Sequence, residues 1–470
     1  MKGSLTGKTA SLRYKWWVVC MLWFICFFNY ADRQAIFSVF PKLKEEFGYD
    51  KVHLGLIGSA FMWVYAFGAP FAGFIGDRVK RKNLILGGCL FWSGVTVMTG
   101  WCGKLWHFVT VRALEGFGET FYFPASMSLV SDYHGRDTRS RALSFHQSSV
   151  YVGTIAGSWA GAWFAEKHGW RTGFYFFGGA GMLLALVLYR FLREPRRGES
   201  EESRQVPRVS GAGILPVSEG ASSRLTHKQE PELGTGRLEA CPTTARPPLG
   251  EAVREAGRAI FRKPTALVLM AVFLAANFVA AIFLTWTPTF LVEKFNFKLT
   301  AAGLSGTVFV NLASAVSVPI AGALADRVSR RFAGGRMLVQ ALGLLVGSVF
   351  VFLVGSTRNV STLLLAMALF GFCKGFYDSN IFASLYDVIE PRVRATAAGL
   401  MNTVGWGGGA LGPLAVGWVA KHGRHASEVE NMSEAIAFGG VIYLAGAALL
   451  ITTIFALGKR DFPRNDGSGS

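Results

Sequence analysis

Residues 73–82 read GFIGDRVKRK, and residues 322–331 read GALADRVSRR. Each is a short charged passage between two long apolar runs, and their aspartates stand 326 − 77 = 249 residues apart in a chain of 470. A passage repeated at about half the length points to a doubled molecule. Further stretches repeat in nearly the same register. LEGFGETFYFPAS (114–126) matches LFGFCKGFYDSNI (369–381) at an offset of 255, which also brings Asp132 onto Asp387. RSRALS (139–144) matches RVRATA (392–397) at 253, and NYADRQ (29–34) falls opposite NFVAAI (277–282) at 248. The order of the matches is kept, so the duplication is parallel.

The apolar runs between these passages decide the fold class. The chain is 51% hydrophobic and only 17% charged, too apolar for an ordinary soluble domain. Its apolar residues come in blocks such as WWVVCMLWFICFFNYA (16–31), LILGGCLFWSGVTVMTGW (84–101) and AIAFGGVIYLAGAALLITTIFAL (435–457). About 20 such residues cross a ~30 Å hydrocarbon core as a helix. Lipid offers backbone groups no partner, so a chain of this composition crosses it as helices. Twelve blocks start near residues 16, 53, 83, 106, 140, 173, 265, 300, 336, 361, 394 and 435. The expected fold is an all-α polytopic membrane protein of twelve transmembrane helices in two pseudo-symmetric six-helix bundles, related by an axis along the membrane normal. The first block lacks a small-residue cleavage site and reads as a retained span.

A net charge of +18 invites a nucleic-acid partner, but the cations sit at the ends of apolar runs and in one hydrophilic insert, which is how membrane topology is written. Lys2, Lys8, Arg13 and Lys15 in front and Lys459, Arg460 and Arg464 behind put both termini in the cytoplasm of a multi-pass protein of the cell inner membrane. Lys42, Lys44, Lys51 and Lys421 in the opposite loops dilute the bias. The six cysteines show neither metal nor disulfide spacing and behave as small apolar residues. The expected division is a bundle over 1–193, a disordered cytoplasmic linker over 194–262 with a short surface helix at its end, a second bundle over 263–459, and a tail over 460–470.

The doubled passage, Gly73, Gly76, Asp77, Arg78, Arg81 and Lys82 with its copy Gly322, Ala325, Asp326, Arg327, Arg330 and Arg331, resembles the cytoplasmic loop signature of the major facilitator superfamily, and the resemblance extends over all twelve spans. Lys80 and Ser329 stand where the family usually has glycine. The glycines let helix ends approach closely, and Asp77 and Asp326 suit a neighbouring helix N-terminus. The arginines can bridge to nearby acids, Asp132 above all, with Arg141 close by. Such contacts form a cytoplasmic gate that closes and opens as a transporter alternates. Small-residue rows at Gly153, Gly157 and Gly161 and at Gly405, Gly408, Gly409 and Gly412 suit close packing in lipid, and the resemblance implies that they slide between the halves.

Charges inside spans are costly and are functional by default. Asp32 and Arg33 lie in the outer half of the first span, Arg112 and Glu119 in the fourth, and Lys374 and Asp378 in the tenth. Arg112, Glu115 and Glu119 share one helix face, and Asp32 is the natural partner of Arg112. Glu119 and Lys374 occupy the same duplicated position (374 − 119 = 255), so they are expected to face each other across a central cavity. Lys374 would bind an anionic group of the substrate, and Glu119, with Asp32, would couple transport to protons, since burial disfavours a bare charge. Arg33, Arg112, Tyr122, Asn29, Tyr377, Asp378, Asn277 and Trp286 are the further candidates for lining the site. His146 reads as satisfied locally.

Two branches of the family are resembled. HGWRTGFYFFGGAGMLLALVLYRFLREPR and TWTPTFLVEKF are similar to the anion:cation symporters, which take up sugar acids and aromatic carboxylates with protons. FFNYADRQ with GFGETFYFPAS and RSRALS is similar to the Spinster-like lipid transporters. The expected function is proton-coupled symport of a small organic anion. The alternative is transport of a lysophospholipid or similar amphiphilic anion, and a non-transporting sensor on the same scaffold comes third. An enzyme is not expected: the sequence shows no metal-ligand cluster, nucleophile elbow or phosphate loop. The partners are then the anionic substrate, protons and the bilayer, with no nucleic acid. No metal or cofactor is needed beyond a proton gradient, and the chain is expected to be a monomer.

Overall fold

The computed structural model describes residues 3–76, 78–195, 249–332, 334–390 and 394–461. Asp77 and most of the expected linker lie outside these residues. The first half contains α1 (Gly3–Ser38), α2 (Phe40–Phe47), α3 (Lys51–Gly76), α4 (Arg81–Thr99), α5 (Leu105–Thr120), α6 (Tyr122–Tyr133), α7 (Arg136–Lys167) and α8 (Trp170–Phe191). After α9 (Leu249–Phe261) the second half contains α10 (Pro264–Phe295), α11 (Leu299–Ser329), α12 (Gly335–Ser356), α13 (Val360–Asp378), α14 (Ile381–Val388), α15 (Arg394–His422) and α16 (Glu428–Asp461). Seven of the described stretches are long and apolar enough to cross a membrane, and the long helices together are consistent with twelve crossings. Their starts follow the apolar blocks.

Local chemistry sets the ends of these helices. Pro264 opens α10, where its missing N–H costs nothing. Asn359 caps α13 by accepting from the Thr362 backbone at 3.1 Å. Gly48 (φ 67°) and Asn296 (φ 56°) end α2 and α10 in the left-handed conformation. Two spans are broken, each just past its mid-span charges. The fourth breaks at Phe121 between α5 and α6. Pro124 has no N–H to donate to the Thr120 carbonyl, so the ladder cannot run through. The tenth breaks at Ser379–Asn380. There the Asn380 amide donates to the Phe376 carbonyl and the Ser379 hydroxyl, competing with the helical pattern.

The packing repeats the sequence duplication. Helix α1 packs on α7 as α10 packs on α15, α3 on α5 as α11 on α13, and α4 on α8 as α12 on α16. The halves join through two symmetry-related contacts, α3 on α15 and α7 on α11. Both contacts lie toward the face opposite the 73–82 and 322–331 loops. Gly55 meets the Pro413 carbonyl, Gly417 meets the Lys51 carbonyl, and Gly303 meets Ser158 and Ala162, leaving no room for a side chain at any of the three. Ser59 Oγ donates to the Ala410 carbonyl at 2.6 Å, and Gln34 Nε2 to that of Leu284 at 2.9 Å.

Charged groups close the same face. Lys51, buried, forms an ion pair with Glu293 at 2.7 Å and donates to Glu428 at 2.9 Å; Lys44 reaches both at 3.3 Å. Lys421 pairs with Asp50 at 2.6 Å, and Thr300 donates to Glu166 from its backbone at 3.0 Å. Within the first half Glu46 holds Arg171. The expected sliding rows need correction. Gly153, Gly157 and Gly161 press on Phe27, Ala31 and Ala35 of α1, and Gly408 and Gly412 on Leu274 and Phe278 of α10. All these partners lie within the same half, so the rows bind each bundle together, and Gly55, Gly303 and Gly417 make the close contacts between bundles.

Candidate functional site

In the first half, α1 and α5 bring five buried charges together. Arg112, Glu115 and Glu119 fall on one face of α5 because they are three and four residues apart, and that face meets Asn29, Asp32 and Arg33 of α1. Arg33 Nε donates to Glu119 Oε2 at 2.9 Å, with a second contact from Nη2 to the same oxygen. Nη2 also donates to Asn29 Oδ1 at 3.0 Å. The Asp32 carboxylate accepts from the Arg33 backbone N–H at 2.8 Å and from Thr96 of α4 at 3.2 Å. Arg112 donates to Glu115 at 2.5 Å.

Oxygens of Asp32, Glu115 and Glu119 lie within 4.8 Å of one another. That spacing could hold an ion, but the two guanidiniums already bring positive charge to it. Aromatic rings complete the enclosure. The Arg33 guanidinium stands 4.3 Å from the Tyr30 ring centre and 4.6 Å from that of Phe61, with Tyr65 and, from the second half, Trp406 further out. Among the described residues Glu119 Oε1 and Arg112 Nε and Nη2 carry no hydrogen bond although buried. Unsatisfied buried groups are rare in native proteins and mark a site with unfinished chemistry.

The second half offers one charged pair at the matching depth, Lys374 with Asp378, one turn apart on α13. It differs from the first-half cluster in being reachable: the side chains are 24% and 34% exposed, against 5% and 0% for Arg33 and Glu119. Tyr151 of α7, in the other half, lies within electrostatic reach of this pair, which places the pair on the side of its bundle that looks toward the other.

Several expected contacts differ. Arg112 pairs with Glu115 and not with Asp32, because the two α5 residues are one turn apart while Asp32 is engaged by Thr96 and its own helix. Glu119 and Lys374 do not bridge the halves; each has a partner inside its own half. Spans one and four are tied instead by Arg33 and Glu119. Trp286 is fully buried, donates to the Pro413 carbonyl at 3.1 Å and packs against Phe40, so it belongs to the closed face. Tyr122 is buried in the first half, sharing its hydroxyl with the Leu22 carbonyl and His146 Nε2; among the described residues His146 Nδ1, also buried, carries no hydrogen bond, so His146 is only half satisfied locally. Asn277 is half-buried and donates to Phe273 of its own helix. Tyr377 is buried with an unpartnered hydroxyl.

At the loop face, Arg81 pairs with Asp132, the acid the sequence pointed to, and also with Glu194 at 3.0 Å; Arg81 and Asp132 lie in the same half, so the contact braces one bundle and does not gate the space between the two as expected. Gly76 ends α3, three residues past Gly73, while Arg78 and Arg141 are exposed. In the second copy Arg327 and Arg330 are exposed, and the role of Arg81 falls to a residue the motif comparison missed. Arg336 donates to Asp387 at 2.7 Å and to Asp326 at 3.0 Å. Since 336 − 81 = 387 − 132 = 255, the pair Arg336–Asp387 is the repeat of Arg81–Asp132 in the register of the fourth and tenth spans. The 249 register of the motif places Arg330 there instead. The second loop is simply longer.

The family model described as Major Facilitator Superfamily matches residues 22–413 and 308–467. A probable anion transporter, chloroplastic, of Oryza sativa subsp. japonica is 27% identical over 97% of this chain and 72% of its own. A probable galactarate/D-glucarate transporter of Escherichia coli (strain K12) is 24% identical over 88% of this chain and 89% of its own. Among solved structures, a bacterial homolog of the human lysosomal transporter Spinster, inward-facing and unoccupied, superposes with a TM-score of 0.73 at 20% identity, over 96% of this chain and 98% of that one.

Proposed function

The chain belongs to the major facilitator superfamily, and from that premise we propose that it is a secondary transporter carrying a small organic anion together with protons by alternating access. The observation that carries this reading is the charge count of the α1–α5 cluster. Three carboxylates against two guanidiniums sum to −3 + 2 = −1 when all are ionised, in a buried site where a net charge is costly. One proton neutralises the cluster. Glu119, whose free oxygen is the open position, and Asp32 are the carboxylates to hold it. Across the gap, Lys374 is the accessible cation for an anionic group, and an anion with a proton can move where a bare anion would not. The resemblance to probable anion and sugar-acid transporters supports the substrate class.

In this reading the structure is the state closed by the Lys51, Glu293 and Glu428 cluster, and the loop face with both termini is cytoplasmic in a cell inner membrane. The transporter works as a monomer. Arg33 and the rings around it make a second reading worth stating: that apolar enclosure beside charges suits an amphiphilic anion such as a lysophospholipid.

The test is internal pH in proteoliposomes of the purified chain while organic acids, from D-glucarate to benzoate, are added outside. We expect acidification to follow one anion class and to vanish in Glu119→Gln. Silence across the panel, with fluorescent lysolipid moving instead, would replace the first reading by the second.

A further inference from the structure

Lys374 is the only one of the three mid-span cations that a solute in the gap can touch, since Arg33 and Arg112 are buried. Yet it is already occupied. Asp378, one turn along the same helix, holds its ammonium, and the Asp378 carboxylate is itself a third exposed to the gap. An ammonium has three donors and could serve two carboxylates. A second carboxylate would then sit within a few ångströms of the first, with one positive charge between two negative ones, in a medium far less polar than water. We propose that Asp378 is a resident stand-in for the substrate carboxylate, so that an incoming anion competes with it for Lys374.

The surroundings fit a switch carried by this one carboxyl. Tyr151 of α7 lies within electrostatic reach of both members of the pair, and Tyr377 of α13 and Tyr443 of α16 within reach of Asp378. Tyrosines titrate near ~10, so they stay neutral at working pH and can only donate or accept hydrogen bonds. The Tyr377 and Tyr443 hydroxyls are buried and carry no hydrogen bond among the described residues, leaving two donors for a displaced Asp378. Asp378 also ends α13 at the break in the span, and a side chain at a helix end can swing aside without disturbing a helical neighbour beyond it.

This inference rests on the anion reading and deepens it. The experiment is calorimetric titration of the full chain in lipid nanodiscs with D-gluconate and D-glucarate at pH 7.5. Asp378→Asn should bind at least about tenfold tighter than wild type, while Lys374→Gln should bind neither anion. Binding to the wild type that is unchanged or weakened in a folded Asp378→Asn overturns the inference and leaves the transport reading standing. If neither anion binds the wild type, the sugar-acid form of the anion reading fails. The pairing itself is still tested by labelling Lys374 with a small amine-specific reagent, read by mass spectrometry. Asp378→Asn should label faster, and an unchanged rate means Asp378 does not hold Lys374.

Discussion

Arg33 carries more of the first half than any other side chain. It joins α1 to α5 through Glu119 and lies against the rings of Tyr30 and Phe61. Removing one partner of a buried ion pair leaves the other uncompensated, at a cost of about 3–5 kcal/mol, whereas removing both costs far less. Arg33→Leu should therefore destabilise the protein by that amount in reversible unfolding from bicelles, and Arg33→Leu with Glu119→Leu should regain most of it. An additive double variant would mean the pair is not coupled. At this scale the sequence told which residues were charged in the membrane and that Arg112, Glu115 and Glu119 share a face. It could not tell which charge takes which partner. Pairing depends on a turn of rotation between α1 and α5, and the two arginines offered equivalent choices until packing chose.

The elements that close the structure were legible in part. The twelve apolar blocks set the helices, because length and hydropathy suffice for that. The breaks at Phe121 and Ser379 were not read, although Pro124 and Asn380 mark them. Lys44, Lys51 and Lys421 looked like cations diluting the topology bias. In the fold they are neutralised by Glu293, Glu428 and Asp50, contacts hundreds of residues apart that no local pattern reveals. The element-scale prediction concerns this cluster. Glu293→Gln with Glu428→Gln strands the buried Lys51 ammonium at the α3–α15 joint, and the joint should loosen. Spin labels at His53→Cys and His422→Cys, in a background without other cysteines, should then report a longer and broader distance than in the parent. An unchanged distribution would show that the glycine contacts alone keep the face shut.

For the whole molecule, the doubling gave the architecture, and its limits show in the loops. The motif register of 249 paired Arg81 with Arg330, while the span register of 255 pairs it with Arg336. Loop length drifts freely between copies because loops pack against little, whereas the α5 and α13 contacts hold their spacing. The two halves also meet through charges that answer to pH. Burial pushes the Asp50 carboxyl up, but the hydrogen bonds from Lys421 and the His53 backbone outweigh it and hold it below the usual range. A carboxylate held low stabilises the folded, closed form fully above the ordinary Asp value of about 3.9 and loses that contribution as pH falls through its depressed value. The same spin-label distance should stay constant from pH 7 to about 5 and broaden only below about 4, while Asp50→Asn should show the broadening at neutral pH. Broadening of the parent already near pH 6 would assign the response to another group.

The three glycine contacts between the halves have a mechanical consequence. Gly55, Gly303 and Gly417 sit near one end of helices such as α11, which at 31 residues is about 45 Å long. Backbones touching at one end make a fulcrum there, and motion grows with distance along the lever. A rotation of about 10° moves the far end by roughly 8 Å over that length, about the width of a sugar acid. The bundles themselves, stapled by Arg81–Asp132 and Arg336–Asp387, need not bend. A doorway of molecular size thus opens for a tilt that leaves the hinge contacts almost where they were.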